Sequence, residues 1–201
     1  MLKSAEFMAR LGSVGDGVQV FAGALLLKPE LIRLGDGTRI DDFTRIEGGL
    51  GVEIGRHVHI SSFCSIFAGG SCQLGDYSCM AEGSRILTGS EQLDAAMSSV
   101  APSEWRHVET VHAIADHLSF LGANAVMMPG ARLGVGAVLG AGSVLLGCAA
   151  PWEVWAGVPA RRISARNPDA LRARGVPIDD LVARALVPGP DWRLRCAGTI
   201  E

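Results

Sequence analysis

Aromatic side chains are scarce in this chain of 201 residues, at 5% of the total with a single tyrosine. A core built mainly from large rings is therefore excluded. A basic stripe is also missing: 18 Lys and Arg stand against 21 Asp and Glu, for a net charge of -3, which offers nucleic acid no footprint. No stretch approaches the roughly 20 apolar residues of a membrane-spanning helix. Met1 to Arg10 contains Lys3 but no apolar run of signal length. Cys64, Cys72, Cys79, Cys148 and Cys196 are odd in number and form no close C-x-x-C pair, so they read as reduced, mostly buried thiols. Together these absences lead us to expect a cytoplasmic protein without a membrane span.

What the chain does have is glycine and a beat. Its 26 glycines exceed the usual share of roughly 7%. An apolar residue returns every six positions: Leu34, Ile40 and Ile46, then Ile54, Ile60 and Ile66, then Leu74, Met80 and Ile86. It resumes at Leu121, Met127, Leu133, Leu139 and Leu145. A period of six fits neither a helix nor one strand, but it fits short strands joined by corners, three to a coil. The expected fold class is therefore an all-β solenoid in which each coil buries the face its neighbour exposes.

The other hexad positions refine this picture. Position one points inward. Position five is small or β-branched (Thr38, Thr44, Val58, Cys64, Ser78, Ser84, Ala125, Ala131, Ala137, Ser143), as a crowded corner requires. Position two is often glycine (Gly35, Gly55, Gly75, Gly122), read here as the residue that permits the turn's backbone angles. The first coils run to twenty residues, with two extra residues expected to bulge outward. One opening coil runs through Val14, Val20 and Leu26; further coils begin at Leu34, Ile54 and Leu74 and near Ala115 and Leu133.

The beat vanishes from about Leu87 to Ile114, and so long an interruption of a compact repeat points to function. It is absent again after Ile163. Asn167-Pro168 reads as a helix N-cap followed by proline, with a short helix over Asp169 to Arg174 ending at Gly175. A second helix is expected from Pro177 to Leu186, and the tail is suited to capping the open end of the solenoid. The expected organisation is residues 1–163 as β-helix, with the inserted loop at about 87–114, and residues 164–201 as a helical tail.

The segment Leu121 to Val144 and the closing segment Pro151 to Ile163 resemble the hexapeptide-repeat acyltransferases, and the resemblance covers about Gly35 to Ile163. The loop after Thr88-Gly89-Ser90 is similar to that of a sugar O-/N-acetyltransferase subgroup associated with bacterial surface sugars. The resemblance implies a left-handed parallel β-helix, reversing the usual crossover hand. It also implies a homotrimer with clefts between subunits, and acyl transfer from coenzyme A, acetyl-CoA above all, to a sugar or nucleotide-linked amino sugar. No metal is expected.

Acyl transfer from a thioester needs a cleft for the pantetheine arm, a donor to the thioester oxygen and, for a hydroxyl nucleophile, a base. The resemblance places the arm along Ala123, Ala141, Gly142 and Ser143, and Arg161 near the coenzyme phosphates, with Arg162 and Arg166 able to assist. Where the family frequently has Thr-Lys this chain has Leu146-Gly147, so no lysine stands there to meet the coenzyme. No histidine follows Thr88-Gly89, where the better-known sugar O-acetyltransferases have one. Candidates for the base are then His59, which the resembled subgroup often has, its neighbour His57, and Glu91 or Asp94 on the loop. His107 and His112 lie on or near the loop, and His117 starts the next coil. A missing loop histidine favours an amine acceptor, because an amine can shed its proton near neutral pH. Trp105, Trp152 and Trp155 are candidate walls for a ring, the latter two equally for packing the tail.

Two other readings share the fold. One is a non-catalytic scaffold without the base and the Thr-Lys pair. The other is a zinc hydratase resembling the gamma class of carbonic anhydrase, suggested by His107, His112 and His117 at intervals of five.

Overall fold

The computed structural model describes residues 1–91 and 98–186. The chain winds as a parallel β-solenoid with three faces, and its strands stack into sheets of seven, eight and six. The first face runs through Ser13–Val14, Ile32–Leu34, Gly51–Ile54, Ser71–Leu74, His112–Ala115, Arg132–Leu133 and Cys148–Ala149. The second face includes Arg39–Ile40, His59–Ile60, Cys79–Met80, Phe120–Leu121 and Val138–Leu139. The third includes Leu25–Leu27, Arg45–Glu47, Ser65–Phe67, Arg85–Leu87, Val126–Met127 and Val144–Leu145. The six-residue beat is the inward column of each face. Ile40, Ile60, Met80, Leu121 and Leu139 stand in register on the second face, each with 0% exposure. Large apolar side chains stacked at this density make the solenoid a stiff frame.

The extra two residues of the early coils widen the corner before the first face, where Leu50 is 72% exposed, and lengthen its strands, in which Ile32 and Leu34, Val52 and Ile54, and Cys72 and Leu74 point inward in pairs. One expectation about the repeat needs correction. The left-handed turn conformation belongs to hexad position four, not two: Gly37, His57, Tyr77 and Leu118 at one corner, Phe43, Phe63 and Asn124 at the next. Glycine is needed at position two because the following coil passes too close. A Cβ on Gly35 would lie 2.6 Å from the carbonyl carbon of Gly55 and 2.8 Å from the nitrogen of Arg56. Position five is as expected, with Thr38, Ser84, Ala125 and Ala137 all at 0% exposure.

The N-terminal end is closed by a short helix, α1 (Ala5–Met8), whose Phe7 and Met8 pack on the core. At the other end the segment read as the family close is a hairpin. Glu153–Gly157 continues the second face, and Ala160–Ala165 returns antiparallel beside it. The described part of the tail, to residue 186, takes a path away from the open end. After α2 (Asp169–Arg172) and Gly175 it turns into α3 (Ile178–Ala183) and runs back along the corner between the first and second faces. Ile178 and Leu181 are buried there, while Val182 is 46% exposed. Asn167 supplies the expected cap, its Oδ1 accepting the Asp169 N–H at 2.9 Å. The tail residues beyond 186, including Cys196, lie outside the described residues. Cys64, Cys72 and Cys79 are free thiols, but Cys148 is disulfide-bonded, against the reading that all five are reduced.

Candidate functional site

The interruption of the beat leaves the solenoid at the corner between the third and first faces. Leu87 is still third-face strand and His112–Ala115 is already first-face strand, so the insertion is narrower than 87–114. Its root is an antiparallel ribbon, Gly89–Glu91 against Val108–Thr110. Thr88 ties the ribbon to the preceding coil: its hydroxyl donates to the Phe67 carbonyl at 2.9 Å and accepts the Gly70 N–H at 3.0 Å. The Val111 N–H donates to the Thr88 carbonyl, and the Ser71 N–H to the Val111 carbonyl.

The three candidate bases stand at different places around the solenoid. His59 projects from the second face, and its Nε2 lies 2.9 Å from Asp41 Oδ2. Asp41 also takes the Arg39 guanidinium at 2.6 Å. Burial acts to raise the Asp41 pKa, but hydrogen bonds from Arg39 and His59 outweigh it and leave the carboxyl below its ordinary value. A carboxylate on Nε2 fixes the proton there and leaves Nδ1 as the acceptor. His57 occupies a left-handed corner position and stacks on Tyr77, the rings 5.2 Å apart and inclined by 14°. Its ring covers Gly37. Glu91 is clamped in the loop ribbon by Arg106, at 2.8 and 3.1 Å to Oε1. Its Oε2 is buried without a partner among the described residues. Asp94 lies outside the described residues.

Three of the six positions expected to meet the coenzyme lie together. Ala123, Ala141 and Gly142 share the corner between the second and third faces on successive coils, where the Gly142 N–H donates to the Ala123 carbonyl at 2.8 Å. A Cβ on Gly142 would meet nothing within 4 Å, so this stretch of backbone is open to solvent. Ser143 differs, being buried with its hydroxyl accepting the Gly157 N–H at 2.9 Å, which holds the closing hairpin. Arg161 is exposed on that hairpin and donates to its neighbour's carbonyl. Arg166 is spent on structure: it donates to the carbonyls of Leu118 and Gly136 at 3.1 and 2.9 Å, beside the Trp152 ring. Trp152 thus packs the tail, Trp155 bonds Glu153 through its indole N–H, and Trp105 is 63% exposed on the loop.

One group on the first face was not singled out from the sequence. At the loop root Ser71 Oγ lies 2.8 Å from His112 Nδ1. His112 Nε2 lies 3.2 Å from Gln73 Oε1, and Gln73 Nε2 donates to Glu53 Oε2 at 2.8 Å. These four side chains come from three successive coils and were invisible in the sequence because only strand register aligns them. They line a groove of about 240 Å³ with Arg33, Leu31 and Leu50. His112 is held below its ordinary pKa, first by burial and then by the charge of Arg132, with Glu53 opposing. His117, by contrast, is buried and structural, its Nδ1 accepting the Asp76 N–H at 2.7 Å and its Nε2 3.0 Å from the Arg184 carbonyl. His107, His112 and His117 do not converge, and no metal-binding group of three or more His, Cys, Asp or Glu occurs among the described residues.

Comparison with known proteins fits this geometry. The chain is 28% identical over 167 residues to the dTDP-4-amino-4,6-dideoxy-D-glucose acyltransferase of Escherichia coli, across 82% of this chain and 87% of that protein. The fold matches that of AntD, an N-acyltransferase from Bacillus cereus solved with dTDP and 3-hydroxybutyryl-CoA. The TM-score is 0.80 at 25% identity, over 87% of this chain and 94% of AntD. A hexapeptide-repeat acetyltransferase from Vibrio cholerae, complexed with acetyl coenzyme A, shares the fold at a TM-score of 0.55 and 21% identity, over 81% of this chain and 76% of that one. No family model matches the chain. The resemblance to hexapeptide-repeat acyltransferases read from the repeat is borne out by these relatives.

Proposed function

We propose that this protein transfers an acyl group from coenzyme A to the amine of a nucleotide-linked amino sugar. The observation that carries the reading is the match along nearly the whole chain to an N-acyltransferase whose complex holds both dTDP and an acyl-CoA. The amine adds to the thioester carbonyl to form the C–N bond of a tetrahedral intermediate, whose collapse breaks the C–S bond; the amine proton passes to the departing thiolate, leaving amide and thiol. The open corner of Ala123, Ala141 and Gly142 holds the pantetheine arm through backbone groups, while Ser143 shapes that corner from inside. Arg161 faces the coenzyme phosphates. Arg166 supports the same end from the tail corner rather than by contact. Among the acceptors named from sequence, His59 is the one already oriented by a carboxylate; the stacked His57 and the clamped Glu91 support the frame and the loop. Acceptors of this kind are built into bacterial surface polysaccharides. Assembly is a homotrimer that completes each cleft with a second copy, and acyl-CoA supply puts the reaction in the cytoplasm.

The test offers acetyl-CoA together with dTDP-4-amino-4,6-dideoxyglucose, or with the matching sugar nucleotide carrying a hydroxyl, and measures thiol release. Turnover confined to the amine is expected; equal turnover of the hydroxyl sugar would refute N-acylation. A scaffold without activity would release no thiol and gain no thermal protection from coenzyme A. Light scattering at the mass of a monomer would refute the trimer.

A further inference from the structure

We propose that Ser71 and His112, at the root of the inserted loop, form the relay that takes the proton from the attacking amine. This deepens the function proposed above and rests on it. With a neutral imidazole the network has one consistent hydrogen assignment. Glu53 is acceptor-only, so Gln73 must turn its amide nitrogen to Glu53 and its oxygen to His112. His112 then carries its proton on Nε2 and donates it to Gln73 Oε1. The free lone pair on Nδ1 faces Ser71, whose hydroxyl donates to it at 2.8 Å. The serine oxygen keeps its own lone pairs for a donor arriving from the groove. Carboxylate, amide, imidazole and hydroxyl thus stand in series, with the basic nitrogen one hydroxyl away from solvent.

The position favours this role. Ser71 is held by the Val111 carbonyl, and Val111 in turn by Thr88, so the relay is anchored to the loop ribbon. The groove of about 240 Å³ has room for a single sugar ring, enough for the reacting end of the acceptor. The charged groups facing His112 are Glu53 and Arg33 on the preceding coils and Arg132 on the following one, with Glu30 at the groove edge. Burial and Arg132 favour the neutral imidazole, the form able to accept a proton. His59 lies on another face and has no such link to the loop.

Attack leaves an ammonium on the tetrahedral intermediate. Its proton passes to Ser71 Oγ while the serine proton moves to His112 Nδ1. Collapse expels the coenzyme A thiolate, and the imidazolium returns its proton through Ser71 to the sulfur. The serine is unchanged and the products are amide and thiol. Ser71 touches the substrate; His112 acts through it and is a positioning residue for the proton.

The experiment compares the full-length protein with His112→Gln, Ser71→Ala, Ser71→Thr and His59→Gln. It uses acetyl-CoA and dTDP-4-amino-4,6-dideoxyglucose between pH 5.5 and 9. His112→Gln is expected to lower kcat by roughly 10²- to 10⁴-fold, to leave the KM for acetyl-CoA unchanged, and to abolish the fall in rate on the acid side. Ser71→Ala should behave alike, Ser71→Thr should restore most of the rate, and His59→Gln should keep the acid limb that His112→Gln loses. His112→Gln with near-normal kcat, or with its acid limb intact, would overturn the relay; so would loss of that limb in His59→Gln alone. Wild-type protein that turns over no amine would sink the functional reading itself. The relay's hydrogen assignment has a separate readout in the ¹⁵N shifts of His112. A proton fixed on Nε2, released by Gln73→Leu, supports it; a proton on Nδ1 overturns it.

Discussion

Replacing Gly70 by alanine tests whether the loop root is as tightly built as the structure indicates. A Cβ there would overlap the carbonyl oxygens of Thr88 and Val111 and come to 3.0 Å from the Cβ of Thr88. Both carbonyls are engaged: Thr88 accepts the Val111 N–H and Val111 accepts the Ser71 N–H. The Gly70 N–H is itself bonded to the Thr88 hydroxyl. Relief therefore requires the backbone of the ribbon to move. Overpacking costs about 1–3 kcal/mol, and two weakened hydrogen bonds add about 1 kcal/mol each. The sum is roughly 3–5 kcal/mol, a fall in Tm on the order of 6–20 °C for a chain of this size. Gly147→Ala is the control, since nothing lies within 4 Å of its Cβ; a change within about 0.5 kcal/mol is expected there. The assay is equilibrium urea unfolding at fixed protein concentration, with hydrogen exchange read at Ser71 and Val111. A loss below about 1 kcal/mol for Gly70→Ala, or unchanged exchange at those two amides, would refute the reasoning.

Two further outcomes follow from ionisable groups. Burial acts to raise the Asp76 pKa, but hydrogen bonds from the Arg56 guanidinium and backbone and from Arg184 outweigh it and hold the carboxyl below its ordinary value. Its contribution is therefore complete above about pH 4 and lost as pH falls through the lower folded value. Asp76→Asn should cost about 1–2 kcal/mol at pH 7 and flatten stability between pH 4 and 2.5, measured by urea unfolding; an unchanged acid profile would contradict this. Burial pushes the Cys72 thiol up to about 12. It should resist maleimide at pH 8 in the folded protein while Cys79, which is only partly buried, is labelled first; equal rates by mass spectrometry would contradict the packing.

The repeat was legible because each hexad states its own local requirement. Leu34, Ile40 and Ile46 mark three inward faces wherever they occur in a parallel stack, so the beat alone implied the solenoid. The corner residues were legible in kind but not in cause. A glycine such as Gly35 reads the same whether it serves a turn angle or a close neighbour, and only the stacked coil shows that the neighbour decides. The path of the tail was not legible because amphipathic spacing shows that Ile178 and Leu181 must be buried, not which surface receives them. The tertiary structure adds that Arg184, at the end of that helix, is held by His117 and Asp76 at the first corner.

The sequence by itself determined the three-faced parallel architecture and the place of the interruption, since both depend on spacing along one chain; the corner at Ala123, Ala141 and Gly142 was reached only through the family resemblance. Only the tertiary structure decided that Ser71, His112, Gln73 and Glu53 meet, and that His59 and Glu91 do not. Residues 41 positions apart, such as Ser71 and His112, become neighbours when the inserted loop returns its chain to the next coil. That closure is set by the register of the stacked strands, which no local pattern encodes.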